Sequence, residues 1–559
     1  MQMKKYTIGM LLVFVLALAA GHAAAQIFQA PSYAHSIFHG PGSPTQVSGP
    51  THLQDYVVEG KLRLRLEDTI RLTLVNNSDV NVNRTTFDLS QFNLLRARQT
   101  FDPTIVAGFA PTRSASPSTN SLVGAATLST LSQTTTLGYQ QSFTSGTTLN
   151  VGLATTRSTT NSSFATINPS FSSGLTFSVS QPIWRKAGFF VNRAPLIIAR
   201  RNIRVAEATF TAQMNDAVRG AINQYWDVVQ ARESLEVLKK SLELAEASYK
   251  RDKRALELGA LGPLDIYRSE SQVAQRKIGV IQAESQLKQA EDALRQTIGA
   301  DLDHDYEAME LDLTENADTS ATLATVDLKE ALSQALKNRP EMDGQRQQLA
   351  IDDVNVQVAN NNLKPDLSLT ASYTSAGVGG TVFGTDANGV PIVISNGGFG
   401  DSLSQVGGFN FPTYGMSLQM RLPIRNSGAA ADLGSSLVSK RHDLYQMRST
   451  EQSIGLQVKN AVRNLEIAEL TITAAQASKD VAGKDLAAQE RKYQLGAVDV
   501  FFVLDAQDRL SQAEQSLVQS QIAYQKALAE LDHSTGALLE KYGIVIAPGH
   551  PAELRSSNR

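Results

Sequence analysis

Apolar residues return at every seventh position along two separate stretches of the chain. One stretch carries Ile266, Val273, Val280, Leu287 and Leu294, and the other Val503, Leu510, Leu517, Tyr524 and Leu531. A seven-residue step on a helix drives supercoiled packing against neighbouring helices. The two stretches share one register, because Gly259 and Gly496 stand 237 positions apart and so do Gly299 and Gly536. Self-similarity at a fixed offset predicts two stacked structural units rather than one enzyme core. Ahead of each stretch lies a longer helical run, from about Arg193 to Leu258 and from about Ala430 to Leu495, the first with Ile222, Tyr225, Trp226, Val229 and Leu235 on one side. At 1.5 Å per residue, ~65 residues make a rod of about 100 Å. Gly259 with Gly262-Pro263 breaks the first rod and Gly496 the second, so a return helix follows each. Ala506, Ala513, Ser520, Ala527 and Ser534 form a second row, again at sevens. Small residues let helix backbones approach on a second face, as a closed ring of helices requires, although alanine also reflects plain helix propensity.

The remaining pattern has period two. Leu175, Phe177 and Val179 alternate with Thr176 and Ser178, while Tyr414, Met416, Leu418 and Met420 alternate with Gly415, Ser417 and Gln419. Both runs close on a Pro-Ile pair, Pro182-Ile183 and Pro423-Ile424, and opening strands are expected at Ile105–Phe109 and Leu367–Tyr373. One apolar and one polar face suit either a sandwich or a barrel with lipid outside and water inside. Long polar loops are predicted over Ser114–Gln133 and Ala376–Phe411. The first half has an additional hairpin, in which Leu137, Tyr139 and Phe143 lead through Ser145-Gly146 to Leu149, Val151 and Leu153. A short helix near Leu64–Asn77 has a twin around Leu328–Leu336, and the offset of 262 from Asn76 to Asn338 carries the duplication to the start of both halves.

Charge and composition narrow the function. Lys4 and Lys5 precede an apolar stretch from Ile8 to Ala20 and the small residues Ala23-Ala24-Ala25, the pattern of a secretory signal peptide over residues 1–25. Its removal takes the formal charge from −3 to −5, which argues against a nucleic-acid partner. No later run reaches the length of a transmembrane helix, so any membrane segment must be built from strands. The chain has no cysteine, which excludes disulfides, thiolate metal sites and a lipidated cysteine anchor. His35 and His39 are four apart, but in a Pro/Gly-rich arm (residues 26–52) that will not hold them on one helix face. The sequence offers no phosphate loop, no metal-ligand cluster and no nucleophile-base pair. Neither a cofactor, a metal nor an enzymatic activity is therefore expected.

Taken together, the duplication, the Ser180–Ile183 and Arg421–Ile424 strand ends and the helix turns resemble the TolC-like outer membrane efflux proteins. The turns read Leu-Glu-Leu-Gly (256–259) and Tyr-Gln-Leu-Gly (493–496), the latter followed by Val503-Leu504-Asp505-Ala506-Gln507. The resemblance covers about Leu53 to Tyr542. It implies an α+β membrane protein, internally duplicated and homotrimeric, whose strands from three chains close one β-barrel continued by a long α-helical periplasmic barrel. It implies the outer membrane channel of a tripartite efflux or type I secretion system, residing in outer membrane lipid. Its partners would be a periplasmic adaptor (membrane fusion) protein and an inner-membrane pump of the RND or ABC type. The family has two membrane strands per half, so twelve in the trimer are expected, with the additional hairpin (137–153) outside the barrel. The chain would divide into a first repeat over residues 53–300, with strands about 101–183 and a helical hairpin about 193–299. An equatorial linker (301–326) would lead to a second repeat (327–540), with strands about 366–424, a hairpin about 430–536 and a tail over 541–559.

The resemblance also places an acidic constriction at the helix-turn tips, marked here by Gly259, Gly262, Pro263 and Gly496. Family acids six and nine residues past the turn glycine fall on Phe502 and Asp505 in the second copy, and on Asp265 and Arg268 in the first. Phe502 departs from the pattern, and Asp499 stands close enough to supply the missing charge. The expectation is a gate of an Asp505 ring and a Phe502 constriction, with Asp499 and Asp265 as further candidates. The bland alternative makes Asp499 and Asp505 solvated acids favoured by a helix N-terminus. A periplasmic coiled-coil adaptor and a trimeric structural coiled-coil surface protein are the competing functional classes.

Overall fold

The computed structural model describes residues 49–118, 124–259, 262–316, 326–385, 391–545 and 553–554. The expected signal peptide, most of the N-terminal arm with His35 and His39, and parts of the linker and tail lie outside the described residues. The chain forms two compact units, one holding Arg96–Pro195 and Gln357–Leu433, the other Ser48–Leu95, Leu196–Val356 and Gly434–Arg559.

The first unit is a long antiparallel sheet. Its strands are β3 (Thr104–Pro117), β4 (Thr127–Ser142), β5 (Thr148–Thr160), β6 (Ile167–Pro182), β8 (Asp366–Thr385) and β10 (Phe411–Arg421), in the order β10-β8-β6-β5-β4-β3, with β9 (Pro391–Asn396) pairing with β8. Directly paired residues share a face, so the register defines the two sides. One row across the sheet reads Ile105, Tyr139, Val151, Phe177, Tyr373 and Tyr414. The next row reads Ala107, Leu137, Leu153, Leu175 and Ser375. The opposite face carries hydroxyl pairs, Thr134–Thr156 at 3.1 Å, Thr176–Thr374 at 3.0 Å and Thr370–Ser180 at 3.1 Å.

The structure corrects two expectations here. The additional hairpin does not stand apart from the other strands, because β4 pairs with β3 over Thr127–Gln140 and β5 with β6 over Thr148–Ser158, which puts both inside the sheet. Among the described residues, the spans expected as long polar loops hold regular elements: β3 runs on to Pro117, β4 begins at Thr127, β8 continues to Thr385, and β9 and a helix, α7 (Phe399–Gly407), follow. The strand ends carry serine and threonine on both faces, so no apolar alternation marks them. α7 lies on the apolar face of its own unit. A Cβ on Gly377 or Gly379 would stand 2.1 Å from the Ser402 carbonyl oxygen or 2.2 Å from that of Gly398, so only glycine admits the helix.

The second unit is mainly helical. Its elements include α1 (Leu66–Asn76), α2 (Ser78–Arg98), α3 (Phe189–Glu257), α4 (Pro263–Ile298), α5 (Leu328–Asn338), α6 (Pro340–Asn362), α8 (Ser427–Gln494) and α9 (Val500–Thr535), with α2, α3, α6 and α8 reaching beyond its bounds. A small sheet pairs β1 (Val57–Val58) with β2 (Lys61–Leu64), and β2 in parallel with β7 (Glu310–Leu313). The duplication is visible in the backbone. Gly299 and Gly536 cap α4 and α9 at φ/ψ of 74/16 and 75/16, and Gly259 and Gly496 turn at φ +73 and +71. Each capping glycine is met by its matched asparagine: a Cβ on Gly299 would touch Asn76, and one on Gly536 would touch Asn338.

Two matched cores follow. Ile222, Tyr225, Trp226 and Val229 pack with Leu294 and Ile298 in one, and Ile454, Val458, Leu465 and Tyr524 with Ala331 and Ala335 in the other. Each fully buried aliphatic side chain contributes about 1.5–3 kcal/mol. On α9 both heptad rows are used, since Val503 and Leu517 are buried and so are Ala506, Ala513, Ser520, Ala527 and Ser534. On α4 the heptad row is half-buried at Ile266, Val273, Val280 and Leu287 and buried at Leu294, while Ile278 and Ile281 are exposed.

Candidate functional site

The two helix turns of the second unit gather the polar side chains that the repeat does not explain. α9 starts at Asp499, whose carboxylate accepts the Phe501 backbone N–H at 3.0 Å and so satisfies one of the unpaired amides at a helix start. Arg268 of α4 stands 3.9 Å from the same carboxylate. Asp505 pairs with Arg509 one turn on at 2.7 Å, and Arg509 also reaches Asp485 of α8 at 3.8 Å. Phe502 is about half exposed and meets Phe501 edge-on at 5.6 Å between ring centres. Asp265 falls in the first turn of α4, and its side chain, like that of Pro263, lies outside the described residues. Gly259, Gly262 and Gly496 sit at the turns, as the breaks in the pattern require.

Behind these residues lies a chain of cross-links between the two repeats. Asp252 of α3 is fully buried and accepts hydrogen bonds from Ser269 of α4 and, at 3.1 Å, from the Tyr493 hydroxyl of α8. Burial, and then the Asp252 charge, push the Tyr493 phenol above its ordinary pKa, so the proton stays on the tyrosine as donor. The Arg251 guanidinium stacks 4.8 Å from the Tyr493 ring centre, holding it by cation–π attraction. One turn further, Gln507 donates to Ser248 at 3.1 Å, and Asp508 pairs with Gln272 and Arg276. Burial of Arg276 lowers its pKa, the cost of holding a guanidinium in the helix interface.

A cleft of ≈ 500 Å³ opens between α4 and α9, lined by Tyr267, Arg268, Gln272, Phe501, Leu504 and Asp505. The structure thus brings Asp499, Phe502 and Asp505 into one neighbourhood, but each carboxylate already has an arginine partner. Among the described residues no group of three or more His, Cys, Asp or Glu is placed to hold a metal ion. Sequence reasoning missed Asp252, Ser248 and Asp508, although the copies differ where they sit. At the 237 offset Asp252 faces Gln489, Tyr493 faces Leu256, Asp508 faces Ser271 and Arg276 faces Ala513. A polar residue that breaks the repeat marks a bond made between copies.

Comparison with known proteins identifies the family and the fold. A family model described as "Outer membrane efflux protein" matches residues 146–300 and 331–537. The outer membrane protein TolC of Vibrio cholerae is 19% identical over 366 residues, covering 65% of this chain and 76% of that protein. The probable efflux pump outer membrane protein TtgC of Pseudomonas putida is 24% identical over 307 residues, covering 54% of this chain and 56% of its own length. Among solved structures, the open-state MtrE outer membrane channel of Neisseria gonorrhoeae superposes with a TM-score of 0.60 at 17% identity, covering 88% of this chain and 98% of that one. That last likeness is one of fold.

Proposed function

The chain belongs to the outer membrane efflux protein family, an outer membrane channel of an efflux system, and on that premise we propose that three copies close one barrel of eighteen strands. The observation that carries this reading is the run of six strands in the sheet, with the Ile105–Tyr414 and Ala107–Leu175 rows making one face mainly apolar below a Thr135–Thr155–Ser173 row, and with β3 and β10 as its two edges among the described residues. Unpaired backbone groups cannot face hydrocarbon, so a sheet in lipid must close. Six is an even number, so β10 of one copy meets β3 of the next antiparallel, and the alternation continues around the ring. The shortest of the six strands has 11 residues, enough for the ~9–11 that a tilted membrane strand needs. Because β4 and β5 carry the same two faces as their neighbours, they belong in the barrel. The expected twelve strands become eighteen, and a larger strand number widens the lumen.

Helices of neighbouring copies would cover the apolar residues left exposed in one chain, Ile278 and Ile281 on α4 and Ile467, Leu470 and Val481 on α8. The helix-turn tips, where Leu258, Leu495 and Phe501 are exposed, are the surface for a periplasmic adaptor and an inner-membrane pump of the RND or ABC type. The conduit is passive and its chemistry is that of its walls. Its constriction is assigned to the tip network. The Asp252–Tyr493 bond ties the two repeats together, and a threefold axis triples Asp505, Phe502, Asp499 and Asp265 into rings. The Arg509 partner cancels much of the Asp505 charge, so such a ring binds cations less tightly than bare carboxylates. The reading as a periplasmic adaptor has no observation in its favour.

Planar-bilayer recording on the purified full chain tests the channel. A heat-modifiable trimer giving discrete conductance steps is expected. A soluble monomer with no steps would overturn it.

A further inference from the structure

The apolar face of the sheet has a cleft of ≈ 340 Å³ that conduction does not explain. The volume falls within the ~300–1,000 Å³ of small-molecule clefts. Its floor and wall are mainly apolar, made by Phe109, Leu137, Leu153, Phe171 and Phe399, with the Thr135 and Thr155 hydroxyls between them. Phe399 comes from α7, seated on the sheet by Gly377 and Gly379, so the wall is fixed rather than a chance fold of loop. Gln133 and Arg157 close the cleft on the side towards the loops that join the strands. They lie with Pro111 and Phe171 in one row across the sheet, two rows beyond the Leu137–Leu153–Leu175 row. Arg157 donates to Gln133 at 2.8 Å, a neutral partner. Arg113 is one row further on, two strands away, and its Nε contacts Ser129 at 3.3 Å. Neighbouring strands are ~4.8 Å apart and a same-face row spans two residues at ~3.3 Å each, so the backbones of the two arginines stand about 12 Å apart at one end of this face. Among the described residues neither is paired with a carboxylate.

We propose that this cleft holds one membrane lipid with an anionic phosphorylated headgroup, its acyl chain on Phe109, Leu153 and Phe399 and its phosphate on Arg157 and Arg113. The proposal rests on the channel reading, in which the apolar face meets lipid and the loop end of the strands meets the outer surface. Four residues separate Leu153 from Arg157, about 13 Å along a strand at ~3.3 Å per residue, which takes the side chains from acyl depth to headgroup depth. A guanidinium matches phosphate geometrically, with two parallel N–H donors. Arginine on a lipid-facing strand position is unfavourable even near the interface, a cost that a bound phosphate offsets. A charge-assisted hydrogen bond in such a setting amounts to about a tenfold difference in affinity.

Native mass spectrometry of the full chain in non-ionic detergent tests the site, with dioleoylphosphatidylglycerol, dioleoylphosphatidylcholine and inorganic phosphate as probes. One phosphatidylglycerol per chain is expected, held about tenfold more tightly than phosphatidylcholine and not displaced by inorganic phosphate. Arg157→Gln should remove most of the phosphatidylglycerol preference, while Arg157→Lys, which keeps the charge but not the paired donors, should keep part of it. Phe399→Ser, on the helical wall outside the strands, should weaken both lipids if Arg157→Gln fails to fold. Equal retention of the two lipids, full displacement by inorganic phosphate, or retention unchanged by these substitutions would overturn the site. Conductance of the same preparations reports on the channel separately, so a failed lipid site and a failed channel are told apart.

Discussion

Tyr493 donates its hydroxyl hydrogen bond to Asp252 across 3.1 Å, joining α8 of the second repeat to α3 of the first at the helix-turn end. The two residues are 241 positions apart. With Ser269 on the other carboxylate oxygen and Arg251 over the tyrosine ring, the bond holds the two hairpins in one arrangement. Breaking it removes a hydrogen bond to a buried charge, worth about 1.5–3 kcal/mol.

Tyr493→Phe and Asp252→Asn are therefore expected to loosen the tip. Single-channel recording should show a larger conductance or longer open times in both variants than in the parent chain. The two effects should be non-additive in the double variant, since Tyr493→Phe removes the bond that Asp252→Asn weakens by taking away its charge.

The hairpin of β4 and β5 makes a second expectation. Val151 lies on the apolar face and Asn150 on the hydroxyl face of one strand. Val151→Arg should destabilise the folded barrel by about 2–4 kcal/mol, and Asn150→Arg far less. The folded fraction read by heat-modifiable gel mobility separates them. Equal tolerance would place the hairpin outside the bilayer.

The helix-capping glycines test the packing of the duplicated halves. Gly299 and Gly259 both have φ near +74, so alanine costs about 1–2 kcal/mol at either for the backbone alone. A Cβ at Gly299 also meets Asn76 at 2.8 Å, whereas one at Gly259 meets nothing within 4 Å. Gly299→Ala should lower the Tm clearly more than Gly259→Ala.

Much of this architecture was legible in the chain because a seven-residue period sustained over 36-residue helices leaves few alternatives. Gly299, Gly536 and the turn glycines were equally readable, since only glycine suits a left-handed cap. Strand extents were not. Ser114, Ser116, Ser129 and Thr130 put hydroxyls on both faces, and a strand polar on both sides has no period to read. Membership of β4 in the sheet depends on pairing with β3 and β5, which local pattern does not encode. At the tips Tyr493 stood out, but its partner Asp252 did not, because the bond crosses repeats that each look self-sufficient.

Asp352 of α6 gives the pH dependence. Burial, then the nearby Asp443 carboxylate, push it up to about 6 from 3.8, while Asp353 adds to the rise and Lys440 opposes it. Its Oδ2 is buried with no hydrogen-bond partner, and Asp443 is held low by His442. A carboxyl raised on folding favours the fold below its unfolded pKa, and that contribution is lost as pH rises through about 6. Thermal melts of Asp352→Asn against the parent should match near pH 4, with the variant gaining relative stability up to pH 7. A constant difference would contradict the assignment.

The central claim is that β10 of one copy closes on β3 of the next. The chain has no cysteine, so a pair placed on these edges, Ala107→Cys with Tyr414→Cys, Met416→Cys or Leu418→Cys in turn, reports on that closure alone. After mild oxidation in membranes, at least one pair should give a covalent species of three chains and none larger. Monomers throughout, or a ladder running past three, would contradict it.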